Sequence, residues 1–220
     1  MTQTNEYVRR LRRLDCCAVS DALDKLELGG VVSGVQQAAG NGRLAGRVIT
    51  VKLGTGAPAP GEPRHLGTTA IELGGPDDVI VVEQRTGIEA GSWGGLLSLG
   101  AKVKGIAGVI ADGPVRDIDE AREMQFAVFA NALTARTARG RIVEKATNVP
   151  IEVFGVTLHA GDYVVADRSA VIFIRAADIE RVLDSAEAIV SREARMAKAV
   201  LAQTPISQVM GGNYEFMLKD

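Results

Sequence analysis

The feature that most constrains the fold is a pair of apolar runs separated by one helix-sized segment. The runs occupy residues 79–82 and 106–111, with a glycine-bearing loop at 84–92 and a helix-like segment at 94–104 between them. This order predicts a strand, a crossover helix and a second strand, and such units are almost always right-handed with parallel strands. The loops that follow the two strands are therefore expected to open on one edge of a sheet, where ligands of open α/β sheets collect.

Helices at both ends and short strands complete the predicted domain. Residues 1–30 favour an N-terminal helical cap, and residues 177–220 favour a C-terminal helix and tail. After Asn131 short β-like runs alternate with turns, which is typical of antiparallel strands. No repeat or linker divides the sequence, so we expect a single α/β domain over residues 1–220. Within it we expect helices at 5–14, 20–26, 65–73, 118–124 and 177–203, and strands at 31–35, 47–53, 126–129, 142–143, 151–154, 156–158, 163–167 and 171–174.

Composition argues against several classes of function. The 220 residues carry a formal charge of −2, which gives no cationic footprint for nucleic acid. No uninterrupted apolar run approaches the roughly 20 residues needed to cross a bilayer, and the N-terminus lacks an apolar signal core. Cys16 and Cys17 are adjacent, so a bond between them would be strained and no disulfide framework is available. We therefore expect a cytoplasmic protein that acts on a small polar molecule and binds neither nucleic acid nor membrane.

A charged pair directly follows the second apolar run. Arg116 presents a planar fork suited to a carboxylate or an enolate oxygen, and Asp117 presents hard oxygen suited to Mg²⁺ or Mn²⁺. Glu120, three residues past Asp117, is placed to orient a metal-bound water. The same residues also fit a surface ion pair in a turn and a glutamate in the first turn of a helix. The segment thus predicts either a metal and anion site or an ordinary strand end.

A glycine pair opens the crossover helix. Glycine lets a ligand approach the backbone, and the free N–H groups of a first helical turn receive anions. Glycine before a helix also serves turn geometry alone, so the functional interpretation depends on Arg116 converging with these amides across two parallel strands. The candidate anion-binding residues are Gly94, Gly95, Leu96 and Leu97.

Other candidate catalytic groups are sparse. His65 and His159 stand alone without zinc-ligand spacing, and the sequence has no nucleophile elbow, Walker loop or dinucleotide-binding fingerprint. Glu193 interrupts the apolar stripe of the final helix, counting by sevens from Ile179 through Ala186. A carboxylate there is expected to meet a cation, a water network or another subunit, or to lie at the solvent edge of the stripe.

Three segments together resemble the RraA-like family, which includes divalent-metal-dependent 4-hydroxy-4-methyl-2-oxoglutarate and 4-carboxy-4-hydroxy-2-oxoadipate aldolases. They are the helix start at 94–97, the run 105–117 that ends in the arginine–aspartate pair, and the sequence GDYVVAD at 161–167. The resemblance covers residues 20–175. It implies a layered β/β/α fold, homotrimers or dimers of trimers, and an active site between subunits, with Glu193 as a candidate contribution from the neighbouring subunit.

The resemblance also implies roles for the candidate residues. Arg116 binds the pyruvyl oxygens, Asp117 binds the metal, and the amides at 95–97 bind the pyruvate carboxylate. The sequence departs from the aldolases at Gly95, where those enzymes carry an aspartate separated by twenty residues from the arginine. We interpret Glu120 as the replacement for this acid.

These residues predict a lyase that cleaves a C–C bond of a 2-oxo acid through a pyruvate enolate, stabilised by Arg116 and by Mg²⁺ or Mn²⁺. Aldol cleavage of a 4-hydroxy-2-oxo acid and decarboxylation of oxaloacetate share this intermediate. The contacts that select the substrate are expected in loops such as 54–66. The alternative is a regulator that inhibits ribonuclease E through protein contacts, as relatives in the same family do, but the intact arginine–aspartate pair favours the enzyme.

Overall fold

Helices and short strands alternate along the described chain. The computed structural model describes residues 3–58, 61 and 64–211, so the predicted tail beyond residue 211 and parts of the predicted loop 54–66 lie outside the described residues. The described helices are α1 (Gln3–Leu11), α2 (Cys16–Lys25), α3 (Thr68–Leu73), α4 (Gly95–Val103), α5 (Ile118–Glu123), α6 (Ile179–Leu201) and α7 (Ile206–Val209). The described strands are β1 (Val31–Val32), β2 (Gln36–Ala39), β3 (Leu44–Gly54), β4 (Asp78–Glu83), β5 (Gly108–Val115), β6 (Ala127–Leu133), β7 (Val143–Thr147), β8 (Ile151–Val153), β9 (Val156–Leu158), β10 (Tyr163–Ala166) and β11 (Val171–Ile174).

One curled, mixed sheet organises these strands. Its order is β1-β11-β10-β3-β4-β5-β6-β2, and β7 pairs with the second half of β3. The four strands from β3 to β6 are parallel, whereas β10 is antiparallel to both β11 and β3. The β8–β9 hairpin forms a separate two-stranded sheet. The structure confirms the predicted parallel unit of β4, α4 and β5 and the antiparallel second half.

Burial on both faces of the sheet produces the layers. β4 is buried along its whole length, because helices cover one face and the hairpin covers the other. On the helical side Ile80 shares a core with Leu97 of α4, and α1, α2 and α6 form a second core with β10 and β11. On the opposite side Val81 shares a core with Val153 of the hairpin. The predicted β/β/α layering is confirmed.

Several predicted boundaries differ from the described ones, and two of the differences have a clear local cause. α2 begins at Cys16 instead of residue 20, because the Asp15 side chain caps the helix by accepting the N–H of Ala18 at 2.9 Å. The strand predicted at 31–35 is interrupted, because Gly34 has a φ of 82° and separates β1 from β2. None of the described helices, including the 23-residue α6, is both long and apolar enough to cross a membrane.

Two carboxylates fasten the β8–β9 hairpin onto the sheet. Glu83 and Asp112 are register partners on β4 and β5. Glu83 Oε2 accepts the Glu152 N–H at 2.7 Å, and Asp112 Oδ2 accepts the Phe154 N–H at 2.8 Å. The other oxygen of Asp112 accepts a hydrogen bond from Asn131 Nδ2 at 3.0 Å. Asp112 therefore supports the hairpin, a role that its position beside the charged strand end did not indicate.

Replacing Asp112 with alanine is expected to lower the free energy of unfolding by about 2 kcal/mol, because two donors lose their acceptor. Urea denaturation followed by circular dichroism measures the change. Asp119→Ala is the matched control, since the Asp119 side chain is 92% exposed, and it should cost less than about 0.5 kcal/mol. Equal costs for the two substitutions would contradict the hairpin role.

Candidate functional site

A cleft opens at the carboxyl ends of β4 and β5, between α3 and α4. Its volume is about 480 Å³. Trp93 and Leu97 give it an apolar wall, and Arg116 and Asp117 give it a charged end. The complete lining is His65, Leu66, Thr68, Ile71, Glu72, Gly91, Trp93, Gly94, Gly95, Leu96, Leu97, Gly100, Arg116, Asp117, Thr137 and Ala138.

Three backbone N–H groups tie the segment that leads from β4 into α4 to the end of β5 and the two residues that follow it. The Ser92 N–H donates to the Pro114 carbonyl at 2.8 Å, and the Arg116 N–H donates to the Trp93 carbonyl at 3.0 Å. The Gly95 N–H donates to Asp117 Oδ2 at 3.1 Å. These bonds extend the contact between the parallel strands β4 and β5 past their ends. The structure thereby brings the glycine helix start and the arginine–aspartate pair together.

The glycines beside these hydrogen bonds, Gly91 and Gly94, leave room for the side chains of Arg116 and Asp117. A β-carbon at Gly94 would lie 2.9 Å from Asp117 Oδ2 and 3.2 Å from Arg116 Cγ, and one at Gly91 would lie 2.9 Å from Arg116 Cδ. Neither glycine has a φ in the left-handed region. Close approach of Arg116 and Asp117, and not turn geometry, is what requires glycine here.

Asp117 is held in an unusual backbone conformation. Its φ of 56° and ψ of 40° are left-handed, which costs of order 1 kcal/mol for a residue other than glycine. Its Oδ2 accepts the Gly95 N–H, and its Oδ1 accepts Arg116 Nε at 3.2 Å. Both side chains of the pair are about one-third exposed, at 34% and 32%. The pair is therefore fixed from the protein side and open to a ligand on the other.

Glu120 places a second carboxylate over the start of α4. A β-carbon at Gly95 would overlap Glu120 Oε2, and would lie 2.7 Å from Glu120 Cδ and 3.1 Å from Asp117 Cβ. The Glu120 carboxylate thus occupies the space that a side chain at position 95 would enter. That Glu120 replaces an acid at position 95 stays a prediction, which this placement of the carboxylate allows.

The two carboxylates set what this chain offers a metal ion. Within the described residues no group of three or more His, Cys, Asp or Glu side chains is arranged to hold a metal. Mg²⁺ is commonly bound by one or two carboxylates with water completing its coordination. Asp117 and Glu120 fit this mode, and Mn²⁺ accepts the same ligands.

The amides at the start of α4 are only partly available to a ligand. The Gly95 N–H is used by Asp117. In the described part of the chain, no hydrogen bond engages the N–H groups of Leu96 and Leu97. These two groups point from a helix N-terminus beside Arg116, where the helix dipole favours negative charge.

Glu193 lies outside this cleft in the single chain. The apolar stripe of α6 is buried only in its first half, and Glu193 is exposed together with the later members Val200 and Leu201. Partial burial, followed by the nearby carboxylates of Asp15 and Asp21, raises the pKa of Glu193 above its ordinary value of 4.5. Glu193 therefore interrupts the apolar stripe in a part of α6 that is not buried in the core of its own chain.

Asp21, beside Glu193, is expected to oppose folding at neutral pH. Burial, then the carboxylates of Asp24 and Asp15, raises its pKa above the ordinary 3.8. The folded chain therefore binds the proton more tightly, and stability falls as pH rises through 3.8 toward the raised pKa. Asp21→Asn should raise the melting temperature by about 1–3 °C at pH 7 and have little effect near pH 3. Thermal melts of wild type, Asp21→Asn and the exposed control Glu123→Gln check this, and a lower melting temperature for Asp21→Asn at pH 7 would contradict it.

Sequence reasoning missed part of the cleft wall. Thr137 and Ala138 line it from the loop that follows β6. β6 is parallel to β5, so its loop opens on the same edge. The available signal was the apolar run at 126–129, which was predicted as a strand but was not paired with β5. The lining residues between 65 and 72, in contrast, lie within or next to the loop 54–66, which was predicted to select the substrate.

The sequence and the fold of this chain are similar to those of known proteins. A family model described as RraA-like, Aldolase/RraA, matches residues 16–173. The 4-hydroxy-4-methyl-2-oxoglutarate aldolase of Thermus thermophilus is 30% identical over 139 residues, covering 61% of this chain and 77% of that protein. An uncharacterized protein of Methanocaldococcus jannaschii is 30% identical over 122 residues, covering 56% of this chain. The chain spans 58% of that protein and 32% of another curated relative, DlpA of Legionella pneumophila.

Two solved structures share the fold. An uncharacterized protein from Pseudomonas syringae superposes with a TM-score of 0.83 at 25% identity, covering 94% of this chain and 98% of that one. RraAS2 of Streptomyces coelicolor, described as an unusual member of the RNase ES inhibitor RraA protein family, superposes with a TM-score of 0.74 at 26% identity. That match covers 86% of this chain and 94% of RraAS2.

Proposed function

Because the chain belongs to the RraA-like family, we propose that it is a divalent-metal-dependent lyase that cleaves a C–C bond of a 2-oxo acid and releases pyruvate. The observation that carries the proposal is the arrangement around Gly95. There Arg116, Asp117 and the two free helix amides line one cleft, and the Glu120 carboxylate, which is not part of that lining, lies against Gly95. A relative named as an aldolase supports the same class of reaction.

Arg116 and the amides of Leu96 and Leu97 bind the 2-oxo acid end of the substrate in this proposal. The guanidinium keeps its terminal nitrogens for the ligand, because its Nε is the atom that contacts Asp117. When the C3–C4 bond breaks, its electron pair moves to C3 and the keto oxygen becomes an enolate oxygen. A fixed positive charge and fixed N–H donors stabilise this developing charge more than they stabilise the ground state.

Asp117 and Glu120 would hold Mg²⁺ or Mn²⁺ beside this oxygen. A divalent cation bound there supplies Lewis-acid polarisation of the keto group. The left-handed Asp117 backbone and its bond to the Gly95 N–H fix the direction of one carboxylate, whereas the exposed Glu120 side chain is free to adjust. One rigid and one adaptable ligand suit an ion that retains several waters.

Proton movements distinguish the two reactions that share the enolate. Aldol cleavage removes the proton of the 4-hydroxyl group as C4 becomes a carbonyl, and a water oriented by Glu120 is the proposed acceptor. Decarboxylation of oxaloacetate releases CO₂ without this step. In both reactions C3 of the enolate takes a proton from solvent to give pyruvate. Oxaloacetate therefore tests the charge-stabilising groups by themselves.

We also propose that the active assembly is a homotrimer or a dimer of trimers. α4 exposes Leu96, Leu99 and Val103, the first and last at 81%, at helical spacing beside the cleft. The second half of α6 exposes another apolar set that includes Leu201 at 81%. When two different apolar patches cover each other between copies the contact is head-to-tail, and it closes into a ring where the rotation between copies permits. This contact would bring Glu193 of one copy toward the cleft of the next.

The assembly proposal predicts that Val103→Glu lowers the oligomeric state. A buried carboxylate without a partner opposes association, so the substituted chain should elute as monomer at micromolar concentration. Size-exclusion chromatography with light scattering measures the mass. Val31→Glu, at a 41% exposed position on the far edge of the sheet, is the control and should leave the mass unchanged. A monomeric wild type, or a Val103→Glu trimer, contradicts the proposal.

The proposed activity is tested by incubating the purified protein with oxaloacetate and Mg²⁺ or Mn²⁺ and measuring pyruvate through lactate dehydrogenase. Metal-only reactions are subtracted, because divalent ions decarboxylate oxaloacetate slowly by themselves. A panel of 4-hydroxy-2-oxo acids assayed in the same way separates aldolase from decarboxylase. Pyruvate release that survives both EDTA and Arg116→Ala would sink the proposal.

The second candidate is a protein-binding regulator of ribonuclease activity. The structural likeness to RraAS2 favours it. A pull-down with a ribonuclease E-type enzyme, combined with an RNA-cleavage assay, separates the two candidates. Inhibition of the ribonuclease without any lyase turnover would reverse their order.

A further inference from the structure

A buried tryptophan of the cleft wall is hydrogen-bonded to a buried serine that is not part of the lining. Trp93 is 2% exposed and Ser98 is 1% exposed, and Trp93 is the only tryptophan of the chain. The indole Nε1–H donates to Ser98 Oγ at 3.0 Å. The Ser98 hydroxyl in turn donates to the Gly94 carbonyl at 3.1 Å, and the Ser98 N–H donates to the same oxygen at 3.0 Å. One hydroxyl therefore links the indole to the first turn of α4.

This link controls the backbone against which Arg116 rests. The Trp93 carbonyl accepts the Arg116 N–H at 3.0 Å, and Arg116 Cγ lies 3.2 Å from where a β-carbon of Gly94 would be. The indole also reaches across the cleft floor, where a β-carbon at Gly67, just before α3, would lie 3.1 Å from its Cζ3. A rotation of the indole would thus disturb both walls of the cleft and the seat of Arg116.

We propose that Ser98 is a positioning residue for the site. By accepting the indole N–H and donating to Gly94, its hydroxyl fixes the Trp93 wall and the 93–95 backbone, and through them the placement of Arg116 and the free amides. The inference rests on the proposed function for the identity of the ligand. It does not require Ser98 to touch substrate, since Ser98 is absent from the cleft lining.

Ser98 differs from an ordinary serine in a helix in the effect that its replacement has on neighbouring residues. A serine that only bonds back to the preceding turn can be removed with little effect on its surroundings. Here Ser98→Ala leaves the buried Trp93 N–H without an acceptor, and a buried unpaired donor forces rearrangement. Ångström-scale misplacement of a positioned group is enough to weaken binding and catalysis measurably.

Ser98→Ala, Ser98→Thr and Ser185→Ala are the variants for the test. Ser98→Thr keeps the hydroxyl. Ser185 is the control on α6, because its Oγ is also buried and no described residue bonds to it. The readouts are the emission spectrum of Trp93, its quenching on titration with oxalate and Mg²⁺, and kcat and KM for oxaloacetate.

For Ser98→Ala we expect an altered Trp93 emission maximum, oxalate affinity weaker by about tenfold, and a matching rise in KM with kcat within about threefold of wild type. Ser98→Thr should restore affinity to within about threefold, and Ser185→Ala should match wild type in every readout. If Ser98→Ala does not fold, Trp93→Phe removes the donor instead of the acceptor and should show the same rise in KM.

Wild-type emission and oxalate affinity in Ser98→Ala would overturn the proposal, as would a Ser98→Thr protein as impaired as Ser98→Ala. A wild type that binds oxalate but releases no pyruvate overturns the proposed function alone, because emission and affinity still decide the role of Ser98. A wild type that does not bind oxalate overturns both.

Discussion

Replacing Arg116 with alanine will lower kcat/KM for pyruvate release by about a thousandfold, the largest effect expected of any single substitution in this chain. The side chain lines the cleft together with Leu96 and Leu97, and it contacts the Asp117 carboxylate. Its removal takes away both a fixed charge and a fork of donors, and water in the widened cleft replaces them poorly. The backbone bond from Arg116 N–H to the Trp93 carbonyl survives the substitution, so the fold should not change.

Arg116→Lys and Arg168→Ala complete this experiment. Lysine keeps the charge without the planar fork, so it should retain about one-tenth to one-hundredth of wild-type kcat/KM. Arg168 is exposed between β10 and β11 and is not part of the cleft lining, so Arg168→Ala should have wild-type kinetics. Steady-state assays with oxaloacetate and Mg²⁺ give the three values. Less than a tenfold loss in Arg116→Ala would rule out a catalytic role for this arginine.

Gly95→Ala will lower activity by about a hundredfold while leaving stability nearly unchanged. The new β-carbon would overlap the Glu120 carboxylate, which is the far end of a flexible and exposed side chain. The carboxylate therefore swings away from Asp117 and the fold is spared. Gly95 has no left-handed φ, and the 3.1 Å contact with Asp117 Cβ is relieved by a shift of a few tenths of an ångström, so alanine fits the backbone at this position.

A double-mutant cycle separates this displacement from general damage. If Gly95→Ala acts by moving Glu120, then Glu120→Ala should lose a similar factor, and the double variant should lose no more than either single variant. Gly95→Asp combined with Glu120→Ala returns a carboxylate to the same space and should recover part of the activity. Losses that multiply in Gly95→Ala/Glu120→Ala, or a melting temperature lowered by more than about 5 °C in Gly95→Ala, would refute the displacement.

Periodicity and chain punctuation predicted the part of the fold that holds the site. The apolar runs at 79–82 and 106–111 have the period and length of buried strands, and local sequence is enough to predict the parallel connection between them. The convergence of the helix start at 94–97 with Arg116 follows from that topology. The metal, the substrate and the subunit arrangement stay predictions.

Contacts that depend on side-chain direction could not be predicted in the same way. Glu120 extends from α5 to Gly95 at the start of α4. Asp112 points to the hairpin instead of the cleft, because alternate residues of a strand face opposite sides. Which side of β5 is covered by helices becomes known only when the whole sheet is assembled. The exposure of the second half of α6 could not be predicted either, because an apolar stripe has the same sequence pattern whether its own chain or another copy covers it.

The three hydrogen bonds that join the segments at the ends of β4 and β5 affect the reaction barrier. The bonds from Ser92, Arg116 and Gly95 continue the buried strand pair of β4 and β5, so the orientation of the charged groups is set when the sheet forms. A reacting molecule then meets dipoles that already point at it, and little reorientation of the protein accompanies the change in charge. In water, the solvent dipoles would have to reorient each time the reaction occurs. Dipoles that are already oriented avoid this cost, so the barrier in the site is lower than in water.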